Sequence, residues 1–316
     1  MLFNKYCSPL IVIVGPTAVG KTEISIQLAE SMHAEIVSAD SRLFYRGMDI
    51  GTAKPTIDER KRVTHHLIDV VYPDDEWNLA IYKYEAHKVI KEIQSRNILP
   101  FLVGGSGQYI RAIVEGWVVP EQNPDFILRE VLEKWADEIG AEELHSRLTV
   151  IDPEAAKKIE HRNKRRTIRA LEVIFHSGVR FSAQRRREKV PFSILQIGLR
   201  RPREELYTRI DTRINQMISA GFLNEVQSLL ANGLSPDLPA LSAIGYREMI
   251  QFIRAEISME EAVSQMKRLS RKFVRRQANW FKNNDPAIKW FDASDHNIDE
   301  IIAYINSGEG WQRADC

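Results

Sequence analysis

Pro9-Leu-Ile-Val-Ile-Val-Gly-Pro-Thr-Ala-Val-Gly-Lys-Thr22 decides the fold. Its first six residues form an apolar, largely β-branched run, the pattern of a parallel strand buried on both faces. The run breaks at Gly15, and Lys21 to Met32 carries Ile24, Leu28 and Ala29 on one helical face. Between them, Gly15 to Thr22 fits G-x-x-x-x-G-K-[ST] in the strand–loop–helix setting that motif requires. Glycines let backbone N–H groups converge on an anion, and the helix N-terminus adds partial positive charge. Gly15, Pro16, Thr17, Ala18, Val19, Gly20, Lys21 and Thr22 are therefore expected to bind a diphosphate or triphosphate, in a loop of the nucleotide-binding (ATP-binding) type. Lys21 supplies a point charge, and the Thr22 hydroxyl is a candidate ligand for Mg²⁺.

Outward from this loop, strands alternate with helices. Ala34–Ala39 and Ile98–Val103 read as strands, and Glu76–Arg96 reads as a helix with Tyr84, Val89 and Ile93 among its apolar positions. That alternation predicts a parallel α/β sheet flanked by helices, of the P-loop NTPase-like kind. From Pro124 to about Lys189 the pattern is helical, with no strand, and predicts an inserted all-helical subdomain. Phe192–Leu199 and Ile288–Phe291 complete the sheet. Helices are expected over Pro202–Ala220, Leu223–Ala231, Tyr246–Ile253 and Met259–Asn283. The predicted division is a first core part over 1–116, a helical insertion over 117–190, and a core completion with basic helices over 191–316.

The 316 residues carry a net charge of +1, which hides a strong local asymmetry. Lys157 to Lys189 holds twelve Lys and Arg against three Glu. Within Met259–Asn283, Lys267, Arg271 and Arg275 form one row and Arg268, Lys272 and Arg276 another, while Leu269, Phe273, Trp280 and Phe281 fall largely elsewhere. A helix of this kind can pack on the protein with one face and meet phosphates with the other. No apolar run approaches a membrane span, so the cytoplasm is the expected compartment. Cys7 and Cys316 lie outside any CxxC pair and read as incidental thiols. Adjacent His65 and His66 point apart and find no third ligand nearby, so a metal role is not expected of them. Trp77, Tyr82 and Tyr84 read as core or wall.

Asp40 follows the second strand, at the sheet edge where ligands of open α/β folds bind. It is a candidate for holding Mg²⁺ or taking a proton. The third strand ends in Gly104-Gly105-Ser106-Gly107, without the acid that a hydrolytic NTPase places there. Ser106 is a candidate for a phosphate oxygen or a polar base edge.

These residues resemble the bacterial tRNA isopentenyltransferase (tRNA dimethylallyltransferase) family. The likeness is carried by the phosphate loop, Ser38-Ala-Asp-Ser-Arg42, Tyr45 to Pro55, Leu102 to Tyr109, Arg165 to Glu172, Arg209-Ile-Asp-Thr-Arg213, Met217, Gly221-Phe222, Ile244-Gly-Tyr-Arg247 and Arg275 to Trp280, in order along nearly the whole chain. Eukaryotic members carry a C-terminal zinc finger, for which this sequence has no Cys/His cluster. The resemblance implies transfer of a dimethylallyl group from dimethylallyl diphosphate to N6 of the adenosine 3′-adjacent to a tRNA anticodon. It implies Asp40 as general base, Ser106 where the family usually has threonine, and Arg213 on the donor diphosphate. It also implies contacts to the tRNA anticodon stem-loop from Asp40, Ser41, Arg42 and Leu43. Arg165, Arg166, Thr167, Ile168 and Arg169 match a second such stretch, and Ser242, Ala243, Ile244, Gly245, Tyr246 and Arg247 a third. The last is Arg275, Arg276, Gln277, Ala278, Asn279, Trp280, Phe281 and Lys282. A monomer is expected. The rival readings are a P-loop kinase or NTPase, an isopentenyltransferase acting on free adenylate, and a non-catalytic RNA-binding protein.

Overall fold

The computed structural model describes residues 2–119, 125–184, 186–293 and 298–314. Pro124 and Cys316, named above, and position 185 within the basic stretch lie outside them. Cys7 is disulfide-bonded rather than the incidental thiol expected. The chain divides into two compact units, Met1–Val114 with Val190–Cys316, and Glu115–Lys189.

The first unit begins with β1 (Pro9–Val14), α1 (Lys21–Met32) and β2 (Ala34–Ser38). It continues through α2 (Ile57–Arg62), β3 (His65–His66), α3 (Leu79–Ser95), β4 (Leu99–Gly104) and α4 (Gly107–Val114). The second unit holds α5 (Phe126–Ile139), α6 (Ala141–Ile151), α7 (Pro153–Ala156) and α8 (Lys164–Ser177). The chain then returns to the first unit with β5 (Ser193–Arg200), α9 (Arg203–Ser219), α10 (Phe222–Ala231) and α11 (Tyr246–Ile253). It closes with α12 (Met259–Gln277), β6 (Ile288–Asp292) and α13 (Ile298–Ser307).

The six strands form one sheet in the order β3-β2-β4-β1-β5-β6, with every pairing parallel. β1 is central and buried along its whole length, as its continuous apolar run requires. Val14 is in register with Gly104 on one side and Gly198 on the other. The chain leaves β1 to one side of the sheet and later crosses it from β4 to β5, so the switch in direction opens a crevice at the strands' carboxyl ends. Two apolar clusters cover the two faces. One contains Ile11, Ile13, Ile24, Leu28, Ile197 and Phe222, and the other contains Leu10, Val12, Phe44, Tyr82, Leu102 and Ile113.

The second unit has its own core of Leu132, Leu144, Leu148, Ile168, Leu171 and Ile174. Buried Glu172 ties it together, accepting hydrogen bonds from both Arg129 Nη2 (2.9 and 3.0 Å) and a salt bridge from Arg169 (3.2 Å). Its two ends are pinned to one another: Val118 N donates to Arg186 O at 2.9 Å, and Glu188 N to Gly116 O at 2.8 Å.

The sequence reading needs four further corrections. The helix expected over Met259–Asn283 stops at Gln277, where the backbone turns and Trp280 N donates back to Gln277 O at 3.0 Å. Tyr84 is 69% exposed, because α3 faces the core through Tyr82, Ala86, Ile90 and Ile93 instead. The helix expected from Glu76 begins at Leu79, since Asn78 caps it by accepting from Ala80 N and Ile81 N. Elements α2, β3, α4 and α13 were not anticipated. Among them, α2 carries a capping box between Thr56 and Glu59.

Candidate active site

The phosphate loop runs from β1 into α1. Gly15 is required at its start, because a Cβ there would stand 2.7 Å from the Leu199 carbonyl oxygen. Gly20 enters the helix at φ 110°, a left-handed conformation costly for other residues. Two arginines hold the loop's carbonyls from outside: Arg209 Nε donates to Ala18 O at 2.7 Å and Arg201 Nε to Val19 O at 2.8 Å. Val19 itself is fully buried, so only its backbone is available to a ligand. Lys21 Nζ donates to Gly15 O (3.0 Å) and Pro16 O (2.8 Å), which parks it across the mouth of the loop.

Asp40 enters from the neighbouring part of the sheet. The ends of β2 and β4 approach so closely that a Cβ on Gly104 would lie 2.3 Å from Ala39 O. This contact explains why the third strand of the sequence ends in glycine. It brings Ser106 against the Asp40 loop, where Ser106 Oγ accepts from Ser41 N at 3.1 Å. Asp40 Oδ1 in turn accepts from Arg42 N at 3.1 Å. The Arg42 guanidinium donates to Pro239 O (3.2 Å) and Ala240 O (3.1 Å), joining this loop to the segment that begins at Ser242.

The charges of Lys21, Asp40 and Arg213 act on one another. Burial lowers the Lys21 ammonium to about 8, with the Asp40 carboxylate opposing that shift and Arg213 adding to it. Burial likewise lowers Arg213, again opposed by Asp40. Arg213 Nη2 also reaches Thr52 O at 3.4 Å. Behind the Asp40 loop, fully buried Phe44 meets Tyr82, also fully buried, and the half-buried Trp77 and Tyr109, with ring centroids 5.2–5.6 Å apart. Burial pushes the Tyr109 phenol up to about 12, and the Asp40 charge contributes to that shift. An anion cradle and a carboxylate, with the half-buried Tyr109 ring near the carboxylate, thus share one end of the sheet.

Thr22 and Asp40 offer a hydroxyl and a carboxylate oxygen, hard donors of the kind magnesium takes alongside phosphate oxygens. Among the described residues the Thr22 side chain makes no hydrogen bond, so its hydroxyl is available. The residues present therefore fit Mg²⁺.

The stretches expected to meet RNA divide by helical geometry. Arg165 and Arg166 are exposed, but Thr167 and Ile168 are buried and Arg169 is held by Glu172. Ser242 and Arg247 are exposed, whereas Ala243, Gly245 and Tyr246 are buried, with Tyr246 OH donating to Glu225 at 2.6 Å. Arg275, Arg276, Ala278, Asn279 and Lys282 are exposed, while Gln277 and Phe281 are buried. A continuous stretch of helix cannot turn every side chain outward, so the buried members hold the exposed ones in place.

Sequence reasoning missed two groups and gave a third, Gln277, to the RNA contacts although it is buried. Arg201 and Arg209 brace the phosphate loop from outside. Gln277 touches it from α12, accepting from Thr17 N at 2.8 Å. Glu225 organises the loop before Lys54, accepting from Asp49 N (2.9 Å), Ile50 N (2.7 Å) and Gly51 N (3.2 Å). A carboxylate at that spacing from a helix start is an ordinary surface pattern, and nothing local marks its targets.

Comparison with known proteins places this geometry. Residues 43–284 match the family described as IPP transferase, and residues 8–72 match the one described as isopentenyl transferase. A tRNA dimethylallyltransferase of Thermomicrobium roseum is 44% identical over 286 residues, covering 90% of this chain and 87% of the relative. One from a Roseiflexus species is 50% identical over 274 residues, covering 87% and 90%. Among solved structures, the tRNA isopentenylpyrophosphate transferase of Bacillus halodurans aligns with TM-score 0.71 at 39% identity, covering 95% of this chain and 96% of its own. A eukaryotic dimethylallyltransferase solved acting on tRNA aligns with TM-score 0.80 at 25% identity, covering 95% and 79%.

Proposed function

The chain belongs to the IPP transferase family, and on that premise we propose that it transfers a dimethylallyl group from dimethylallyl diphosphate to N6 of the adenosine 3′-adjacent to the anticodon of tRNA. The observation that carries this reading is the meeting of Lys21, Asp40 and Arg213 at the mouth of the phosphate loop, with half-buried Tyr109 near Asp40. A hydrolytic phosphoryl-transfer site would carry an acid where β4 instead ends in Gly104-Gly105-Ser106.

In the reaction, adenine N6 forms a bond to C1 of the dimethylallyl group while the bond from C1 to the diphosphate oxygen breaks. Positive charge developing at C1 spreads over the alkene. The departing diphosphate takes up negative charge, which the loop amides, Lys21 and Arg213 stabilise because they are fixed in place beforehand. Magnesium held by Thr22 and phosphate oxygens would neutralise part of the same charge. Asp40 accepts the N6 hydrogen bond, orients the lone pair and takes the proton. Ser106, bonded to Ser41 N, keeps the Asp40 loop in register with the β4 end.

The exposed cations Arg165, Arg166, Arg247, Arg275, Arg276 and Lys282 contact the anticodon stem-loop, chiefly through its phosphates. The acceptor base leaves its stack to reach the donor, and a single-stranded loop lowers the cost of that step. Support comes from the fold, from the site and from relatives at this level of identity. The test is mass spectrometry of tRNA nucleosides after incubation with dimethylallyl diphosphate and Mg²⁺. A dimethylallylated adenosine is the expected product. Hydrolysis of ATP with no hydrocarbon on the RNA would refute the proposal.

A further inference from the structure

Gln277 is the last residue of α12 and is 4% exposed, although Arg275, Arg276, Ala278 and Asn279 around it all face solvent. Its side-chain amide is used at both ends. Oε1 accepts from Thr17 N at 2.8 Å, and Nε2 donates to Gly105 O at 3.0 Å. The second contact is close-fitting, since a Cβ on Gly105 would lie 2.4 Å from Nε2. Three residues further, Trp280 covers Gly107, where an added Cβ would stand 2.2 Å from the ring, and Arg111 Nη2 donates to Trp280 O at 2.6 Å. The segment that turns its cations outward therefore grips, on its inner side, both the phosphate loop and the loop carrying Ser106.

We propose that Gln277 is a positioning residue that couples RNA engagement at 275–282 to the donor cradle, so that RNA and the prenyl diphosphate bind with positive coupling. This rests on the function proposed above. Thr17 lies within the loop whose backbone N–H groups converge on the anion, and fixing it by a side chain of α12 fixes the loop's shape. A primary amide suits the position because it accepts from an N–H and donates to a carbonyl without placing charge beside a diphosphate. When phosphates of the RNA seat on Arg275 and Arg276, the turn at Gln277 is held, and the cost of ordering the loop is met before the donor arrives. Coupling of this kind is reciprocal, so the donor must also tighten RNA binding.

The test measures binding of dimethylallyl diphosphate with Mg²⁺, with and without an anticodon stem-loop carrying guanosine at the acceptor position, which cannot be prenylated. Gln277→Met retains the buried volume and removes both hydrogen bonds, and Gln277→Ala serves as a second variant. All measurements are made below the unfolding temperature of each variant. In the unmodified protein the RNA tightens donor binding by about tenfold. In Gln277→Met that gain disappears, while affinity for RNA alone stays within about twofold. In turnover, the donor KM rises by about tenfold with a smaller change in kcat. A Gln277→Met protein that keeps the full RNA-induced gain overturns the proposal, as does an unmodified protein with no such gain. Coupled binding without any prenylated nucleoside would refute the proposed function and leave the role of Gln277 standing.

Discussion

The charges of Lys21 and Asp40 act on one another at the phosphate loop, and their chemistry gives two measurable consequences at the residue scale. Lys21 is charged below about 8 and neutral above it. The ammonium is the form that attracts a diphosphate, so kcat/KM for the donor should fall as pH rises through about 8. Bound phosphate favours the charged lysine, so kcat should hold to higher pH than kcat/KM. Stability moves the other way. A lysine lowered by folding binds more protons when unfolded, so between about 8 and its ordinary value near 10.5 the unoccupied protein gains stability as pH rises. Opposite slopes for donor kcat/KM and melting temperature across that interval identify Lys21 as the titrating group, and parallel slopes exclude it. For Asp40, replacement by alanine should lower kcat by about 10²–10⁴-fold. The tRNA affinity, read by filter binding, should be retained. Turnover close to that of the unmodified protein would remove Asp40 from the proton transfer.

Among the elements, the loop from Gly47 to Lys54 depends on a helix far along the sequence. Glu225, in the first turn of α10, accepts three successive backbone N–H groups of this loop and the hydroxyl of Tyr246. The same loop presents Thr52 O to Arg213. Glu225→Ala should therefore cost about 2 kcal/mol of stability through unsatisfied donors. It should also raise the donor KM more than it lowers kcat, because Arg213 loses part of its seat. Equal KM values in variant and parent would confine Glu225 to stability. This dependence also shows what the sequence could reveal. The strand, phosphate loop and first helix were legible because their signal is contiguous: β-branched residues, two glycines and Lys21-Thr22 at fixed spacing. Asp40 was legible because it ends a strand. Glu225 and the inward role of Gln277 were not, because each acts on backbone groups more than 170 residues away in the chain, and backbone targets leave no trace in side-chain identity. The RNA-facing stretches were legible as segments but not as faces. In α8, Arg165 and Arg166 point outward while Thr167 and Ile168 enter the core, and only the helix's contacts decide which side is which.

For the whole molecule, the helical unit Glu115–Lys189 is placed within the connection from β4 to β5. It has its own apolar core and its own buried ion pair, centred on Glu172. Sheet, phosphate loop and Asp40 all belong to the other unit. Replacing 119–185 by a short Gly/Ser linker should thus leave a folded protein that still binds dimethylallyl diphosphate, while affinity for tRNA falls. Calorimetry with the donor and filter binding with tRNA would check the two halves of this expectation, and an insoluble or donor-blind product would contradict it. The means for such an exchange is already built in. The chain enters and leaves the helical unit through a neck, with Gly116 bonded to Glu188 and Val118 to Arg186. Because entry and exit are fastened together, the sheet experiences the whole unit as though it were a hairpin, and the entropy of closing that connection hardly depends on what is threaded beyond it. Descendants of such a gene are therefore free to lengthen, trim or trade the helices for new RNA preferences without renegotiating the chemistry at the sheet's edge.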